Sequence, residues 1–554
     1  MTRTESANAD APHVRHALIV VLAALVAGLS GLFVAPPLDR DESRFVQATT
    51  QMLESGDYVR IRYQETERNK KPVGIHWLQA GSVAAFSDVE ARAVWAYRLP
   101  SLAGAMLAAF GTYLAGCALF GRRAGLIAGL LIACAPVVAA EASIAKTDAA
   151  LLACVVLAQA ALARLWIAED TGTKKGPLLP ALGFWAALSA GILIKGPIAP
   201  MVSGLTILAL VLATRRVRWL LRLRPALGLP LLLLLVLPWF VAIGLATDGR
   251  FYAEAVGRDM LGKVGEAQES HAGPFGYHTI LLWVMFWPAA LFLPAALRWA
   301  IPHWSHPAVL FCLAWFAPAF LVFEAAGTKL PHYPMVTYPG LALLVGALLT
   351  SDEARRFAGF RFAGAGLFAL VGLAAAGGVL YLLAEHHDRG VTPLSVALVV
   401  AVAALIVLTV ITALRGALPR AAYLAAATSA ALAWVLFQHT LPRLDELALT
   451  PRLVSLLDEA EAHPRLDAAP PVALVGYHEP SAVFLLGTDT RLTDAEGAAE
   501  WLRGGAGRVA VVEARERPAF LRAVAGTPFE ELGQVAGRNY SNGDDARLVV
   551  VRSR

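Results

Sequence analysis

A polytopic bundle of membrane-spanning α-helices with a small α/β unit at its C-terminal end is the fold class this sequence predicts, on three observations. Hydrophobic residues make up 57% of the 554 and charged residues 16%. With a mean hydropathy of +0.58, the chain is too apolar to cover itself with a water-facing surface. Apolar runs of membrane-crossing length recur up to residue 440, too continuous to be alternating barrel strands. From about Thr450 the composition turns to that of a water-exposed domain.

The runs lie at 17–36, 100–119, 124–140, 149–168, 178–194, 197–213, 226–246, 278–300, 308–326, 333–349, 361–383, 392–413 and 421–440. Each is long enough to cross about 30 Å of hydrocarbon, and in lipid an open backbone must close its hydrogen bonds within a helix. About 13 transmembrane helices follow. The first run, beginning at Ala17, reads as a retained helix rather than a cleaved signal, because no small-residue cleavage site stands near its end. Cys117, Cys134, Cys154 and Cys312 all sit inside apolar runs without metal or redox spacing, and read as small packing residues.

Sidedness follows from the basic loops. With a cytoplasmic N-terminus, the inner loops carry Arg122 and Arg123, Lys174 and Lys175, the cluster Arg215, Arg216, Arg218, Arg222 and Arg224, and Arg355 and Arg356. The net charge of +5 therefore reflects orientation in a membrane; no nucleic-acid partner is expected. The acidic, histidine-bearing and mixed-charge loops all fall on the outer face: 38–98, Glu141–Asp148, Lys195–Pro197, 247–277 and Gly327–Tyr333. An odd number of spans leaves the C-terminus there too.

In the first outer loop, Phe45, Val46, Ala48, Thr49, Met52 and Leu53 give residues 42–55 the spacing of an amphipathic interfacial helix, and a second is expected over 73–86, after Pro72. The chain divides into a transmembrane catalytic domain, 1–449, and a soluble α/β domain, 450–554, with strands expected near 471–476, 508–513 and 546–552. No internal repeat of the kind that builds transporters is evident.

Charge collects where helices meet the outer face. Asp39, Asp41 and Glu42 follow the first run, and Asp148 opens the fourth. Any of these could cap a helix, a role assigned chiefly to Asp39. Two helix-start acids beside several cations also supply what group transfer needs, a base or electrostatic partner and positive charge for a departing phosphate. Lys71 follows Lys70 and precedes Pro72, which fixes the backbone at a loop-to-helix junction. Lys195 stands between two apolar runs, where an ionisable residue is a functional candidate and snorkelling to headgroups is the alternative. Lys329 and His332, beside Tyr333, are placed similarly. The long loop from Phe251 to Tyr277 holds Arg258, Asp259, Lys263, Glu266, Glu269 and His271, with His278 just beyond, and suits a lid or pocket wall. These residues have no fixed metal-ligand spacing, so no metal or other cofactor is expected.

In order along the chain stand DRDESR, KKP before an aromatic-bearing helix, TDAALL, IKGP, PWF at 238–240, the Ala267-Gln268 pair and TKLPHYP. The sequence resembles, over almost its whole length, the GT-C superfamily of polyprenyl-phosphate-sugar-dependent glycosyltransferases. Within it the resemblance is to the lipid A aminoarabinose transferases, relatives of the dolichyl-phosphate-mannose protein mannosyltransferases. The resemblance implies an inverting transferase in the bacterial inner membrane, working at its periplasmic face. Its donor would be a sugar on undecaprenyl phosphate, and its acceptor an envelope glycolipid such as lipid A or lipopolysaccharide core. Asp41 then matches the essential acid of the first outer loop, Lys71 the lysine that holds the lipid phosphate, Asp148 the acid of the second outer loop, and Tyr333 a tyrosine near that phosphate. The sequence departs from the family at Lys70, where relatives often have a glutamate, and at Arg258, Asp259 and Lys263, where they carry histidines.

On this reading Asp41 is the base and Asp148 its helper or a ligand to sugar hydroxyls, while Lys71, Arg44 and Lys195 stabilise the departing phosphate. Glu42, Lys263, His271, Lys329 and His332 are further candidates. Transfer to protein is an alternative that the sequence does not separate; a lipid-linked sugar flippase would instead concentrate charge at mid-membrane.

Overall fold

The computed structural model describes residues 12–168, 177–255, 257, 273–357, 359–465 and 469–554. Among these, ten helices are long and apolar enough to cross a bilayer. In chain order they are Val14–Leu32, Val94–Phe120, Asp148–Ile167, Leu178–Lys195, Pro225–Ala246, Pro307–Ala325, Tyr333–Thr350, Phe360–His386, Pro393–Leu414 and Leu418–Arg443. Two of the expected continuous runs are broken. The run 124–140 is two helices, Arg122–Ala133 and Pro136–Ala142, bent by 60°, because Pro136 cannot donate the backbone bond that would continue the first. The run 278–300 breaks into Tyr277–Met285, Trp287–Ala290 and Leu293–Ala300, with Pro288 and Pro294 in the first turns after the breaks. Ile198–Thr214 is apolar but shorter than the others.

Asp148–Ile167 runs through the middle of the bundle, buried along most of its length. It packs closely on Val94–Phe120 because Gly104 has no side chain: a Cβ there would meet the Ala149 carbonyl oxygen at 2.6 Å. Pro225–Ala246 and Pro393–Leu414, by contrast, bury few residues and present Leu and Val outward, as lipid-facing helices do.

The loop after the first span forms helices at both expected places, Asp41–Ser55, which is amphipathic, and Gly74–Phe86, which is largely apolar with Trp77, Leu78 and Phe86 exposed rather than amphipathic, joined by a short hairpin of β1 (Arg62–Tyr63) and β2 (Thr66–Glu67). They meet through a polar seam. Thr49 Oγ1 lies 2.8 Å from His76 Nδ1 and donates to Gln79 Oε1 at 2.7 Å. Burial, and secondly Arg68, push the His76 imidazole down to about 3, so it is neutral in this seam at ordinary pH.

The C-terminal stretch builds a five-stranded sheet in the order β4-β3-β5-β7-β6, from β3 (Val472–Val475), β4 (Arg491–Thr493), β5 (Val509–Glu513), β6 (Phe529–Asn539) and β7 (Asp544–Ser553). β3 pairs in parallel with β4 and β5, whereas β7 is antiparallel to both β5 and β6. Helices lie on both faces, so β3 and β5 are buried throughout and read in sequence as unbroken apolar runs. Three strands near the expected positions are present; β4 and β6, which are short or carry alternating polar residues, have a weaker signal.

Candidate active site

Lys195 ends its helix because Gly196 takes a positive φ of 65° and Pro197 follows. Its ammonium thereby projects beyond the apolar part of the bundle, toward the start of the next helix in space. There Asp148 is the first helical residue, and its carboxylate caps nothing: the N-cap position is Thr147, without a side-chain cap bond. Asp148 Oδ1 instead accepts from Lys195 Nζ at 2.6 Å and lies 3.3 Å from His332 Nε2. The other face of His332 looks toward Glu141, with Nδ1 3.6 Å from Oε1. Glu141 is bonded to Lys146 across 3.0 Å, and Lys146 stands 4.0 Å from Asp148 Oδ2. Two acids, two lysines and a histidine thus form one chain of contacts, in surroundings where unpaired charge is costly. Lys146, outside the spans, has its ammonium pushed down by burial, but Glu141 and Asp148 outweigh this and raise it.

Asp148, Lys195 and His332 of this cluster line a cavity of about 520 Å³. Lys70 and Lys71 enter from the first outer loop, Lys195 and Asp148 from the bundle, and His332 and Tyr333 from the loop before the Tyr333–Thr350 segment. Lys195 Nζ is 5.1 Å from the centre of the Tyr333 ring, a cation–π distance. Apart from Thr328, the rest of the lining is apolar and includes Ile198, Met201, Phe240, Phe251, Val322 and Phe323. Cations on the wall of a largely apolar chamber suit an anionic headgroup on a hydrocarbon tail.

The structure brings together Lys71, Asp148, Lys195, His332 and Tyr333 from four separate stretches. It puts other candidates elsewhere. Asp41 is exposed at the start of its helix, outside the cavity lining but close enough for its charge to act on Lys146. Arg44 is half-buried and acts on Tyr63, whose hydroxyl is pushed up to about 12 by burial with Arg44 opposing.

Glu42 is not open to a ligand. Its two oxygens accept from Arg98 Nε and Nη2, each at 2.8 Å, and from the backbone N–H groups of Ala145 and Leu38 at 2.7 and 2.9 Å. Lys329 is likewise taken up, donating to the carbonyls of Glu324 and Ala326 at the end of Pro307–Ala325. His278 and Thr279 both present their backbone N–H groups to Glu324. Asp39 does not cap the helix after it. Its Oδ1 accepts from Ser481 N at 2.8 Å and its own N–H donates to Tyr540 Oη, tying the first outer loop to the C-terminal sheet unit. Lys263 and His271, with Arg258, Asp259, Glu266 and Glu269, lie outside the described residues.

Glu141, Lys146 and Arg98 are members of these networks to which the sequence reading gave no role. A signal existed for two of them, since Glu141 and Lys146 stand in the same short outer turn as Asp148. Arg98 lies in a span with its partner 56 residues away, and no local pattern marks it.

A cavity with this shape and charge invites comparison with proteins that handle lipid phosphates. Residues 70–241 match the family model of dolichyl-phosphate-mannose-protein mannosyltransferase. Those residues hold Lys70, Lys71, Asp148 and Lys195. Across 97% of both chains, the structure superposes on ArnT from Cupriavidus metallidurans bound to undecaprenyl phosphate with a TM-score of 0.75 at 22% identity. The fold is that of ArnT. Superposition on ArnT in the apo state gives 0.74 with the same coverage and identity. In sequence the chain is similar to the undecaprenyl phosphate-alpha-4-amino-4-deoxy-L-arabinose arabinosyl transferases of Pseudomonas paraeruginosa, 29% identical over 58% of each chain. It is also similar to that of Pseudomonas aeruginosa, 29% identical over 62% of this chain and 63% of the relative. The chain thus spans about three-fifths of the length of the curated relatives it matches. It is a multi-pass helical membrane protein with the fold of ArnT, and its sequence is similar to the ArnT relatives.

Proposed function

We propose that this protein is an inverting glycosyltransferase that moves a sugar from undecaprenyl phosphate to an envelope glycolipid, lipid A or lipopolysaccharide core. The observation that carries this reading is a largely apolar cavity whose lining includes Lys70, Lys71, Lys195 and Tyr333. The sugar named in the curated relatives, 4-amino-4-deoxy-L-arabinose, is the first donor to test. The bent pair, the broken helices of 277–300 and Ile198–Thr214, added to the ten longer helices, support the expected thirteen crossings. The active site then faces the periplasm, and residues 450–554 form a periplasmic α/β domain on a transmembrane catalytic domain of residues 1–449.

In the reaction, the bond between the sugar's anomeric carbon and the phosphate oxygen breaks, and its electron pair leaves with the polyprenyl phosphate. An acceptor oxygen bonds to the anomeric carbon from the opposite side, which inverts the configuration. Lys71 and Lys195 stabilise the leaving phosphate by charge-assisted hydrogen bonds, with Arg44 adding positive field from the outer side. Asp148, held by Lys195 and His332, is positioned to accept from sugar hydroxyls. Asp41 takes the proton if the acceptor is a hydroxyl, and orients the acceptor if it is already a phosphate.

The test is reconstitution of the purified protein with undecaprenyl-phosphate aminoarabinose and lipid A, followed by mass spectrometry of the lipid. Wild type should add one sugar; Asp41→Asn should add none while keeping its thermal stability in detergent. Normal turnover by that variant would remove Asp41 from the mechanism, and a wild type that only moves the donor across the bilayer would make the protein a flippase.

A further inference from the structure

Gly74 opens the helix Gly74–Phe86, three residues after Lys71. Its backbone lies outside the left-handed region that favours glycine, and glycine is a poorer helix former than alanine. The reason for a glycine here is space. A Cβ at Gly74 would meet the carbonyl carbon and oxygen of Leu193, each at 2.8 Å, and the Ile194 nitrogen at 3.1 Å. These are backbone atoms of the helix that ends at Lys195, so no side-chain rotation relieves the clash.

The two backbones that touch there lead to two cations of one cavity. Lys71 and Pro72 line it on one side of the contact, Ile192 and Lys195 on the other, and neither Gly74 nor Leu193 is part of the lining. Between Lys71 and Gly74 the chain is stiff. Pro72 has a fixed φ, and Val73, fully buried, belongs to an apolar cluster on which Leu193 and Phe240 pack. From Leu193 to Lys195 the chain is helix, and Ile75 and Ile194, the neighbours of the touching residues, are buried in the main core. The contact involves neither ammonium group. Two cations facing one largely apolar space repel, and a backbone contact holds their stems at one spacing whether or not an anion lies between them.

We propose that Gly74 is a positioning residue for the donor phosphate: its bare backbone seats the Lys71 junction on the backbone of Leu193 and Ile194, and so sets the spacing of Lys71 and Lys195 before the lipid arrives. The proposal rests on the transferase reading, which supplies the phosphate. It deepens that reading by assigning the arrangement of two phosphate-binding cations to a residue that touches neither the cations nor the donor. Ordering the pair during folding leaves less ordering to be done on binding.

In Gly74→Ala the two backbones must part until the new methyl reaches an ordinary contact of about 3.5 Å. The Kd for undecaprenyl phosphate should then rise roughly three- to tenfold, as small misplacements of binding groups do. Once the Lys71 ammonium is gone, its spacing no longer matters. In the Lys71→Ala background the same change should add less than about twofold, because the two residues act as one. Gly125→Ala is the matched control: its Cβ would meet the Tyr113 carbonyl oxygen at 2.7 Å, and neither residue lines the cavity. It should lower the melting temperature and leave the Kd within about twofold of wild type. Val73→Ala loosens the same junction from the Lys71 side and should raise the Kd about two- to threefold, again only while Lys71 is present.

The experiment is titration of full-length wild type, the single variants and the double variants with undecaprenyl phosphate in detergent, with a melting temperature for each. Weakening by Gly74→Ala that vanishes without Lys71, beside an unchanged Kd in Gly125→Ala, supports the proposal. An unchanged Kd in Gly74→Ala, a loss that persists undiminished without Lys71, or equal weakening in Gly125→Ala overturns it, while binding by wild type leaves the reading of the cavity standing. If Gly74→Ala does not fold, the same outcomes are read from Val73→Ala. A wild type that binds no undecaprenyl phosphate removes both.

Discussion

Two buried charge clusters stand near each other in this protein, and their carboxylates are used differently. Around Glu42, every strong donor is internal: Arg98 provides a bidentate pair and two backbone N–H groups complete the shell. Around Asp148 the partners are Lys195, His332 and Lys146, and the first two share the wall of an apolar cavity with Lys71 and Tyr333. A closed shell holds the chain in place; a shell with cations facing open space is ready for an anion. Burial and pairing alone do not distinguish structure from function, but the space beside the pair does.

The comparison can be broken most forcefully at Asp148. Asp148→Asn should lower transfer by about 10²- to 10⁴-fold with a smaller loss of thermal stability in detergent than Arg98→Met, because Lys195 and His332 border the cavity; an equal loss of stability would put Asp148 in the same class as Glu42. Arg98→Met should do the reverse. Removing the partner of a buried carboxylate costs about 3–5 kcal/mol, visible as lower yield and melting temperature, whereas a variant of normal stability would show that Glu42 has another compensation. Lys71→Ala sharpens the open side, raising the donor KM by roughly tenfold with the acceptor KM unchanged; an acceptor-side effect would move Lys71 out of the phosphate site.

The smallest effect concerns Asp39, at the contact with the sheet unit. Burial, with Glu479 nearby, raises its carboxyl to about 6, although the bonds to Ser481 and Tyr540 oppose this. Between the unfolded value of about 3.9 and about 6, the folded protein binds more protons than the unfolded chain, so this group's contribution to stability falls as pH rises through that window. Asp39→Asn should therefore be more stable than wild type at pH 7–8, by on the order of 1 kcal/mol, and should flatten the dependence of unfolding on pH between 4 and 6. A variant with the wild-type pH dependence would place the titration elsewhere.

Part of the site could be read from sequence because membrane topology converts distance along the chain into proximity at one face. Asp148, Lys195, His332 and Tyr333 each stand at an end of an apolar segment, Lys71 stands just before the short helix between the first two spans, and helices of similar length deliver such ends to a common level. The same logic brought Glu42 and Lys329 into consideration, and there it misled. Whether a charged side chain at a helix end turns to a cavity, a carbonyl or a buried partner depends on neighbours that no local pattern specifies. Asp39 looked like a cap and instead docks on Ser481, 442 residues away.

The sequence by itself determined the membrane as solvent, the helical class, the helix ends where charge gathers and the α/β character of the last hundred residues, because hydrocarbon tolerates only backbone that closes its own hydrogen bonds. Only the tertiary structure decided which of the gathered charges share a cavity. Prolines broke two apolar runs and set Glu141 at the end of a short bent helix, Gly104 let the Asp148 helix approach its neighbour closely, and Gly196 ended another helix at Lys195. Those backbone events act over a few ångströms, the range over which ionic hydrogen bonds are made or lost, and that range lies below anything composition or periodicity can specify.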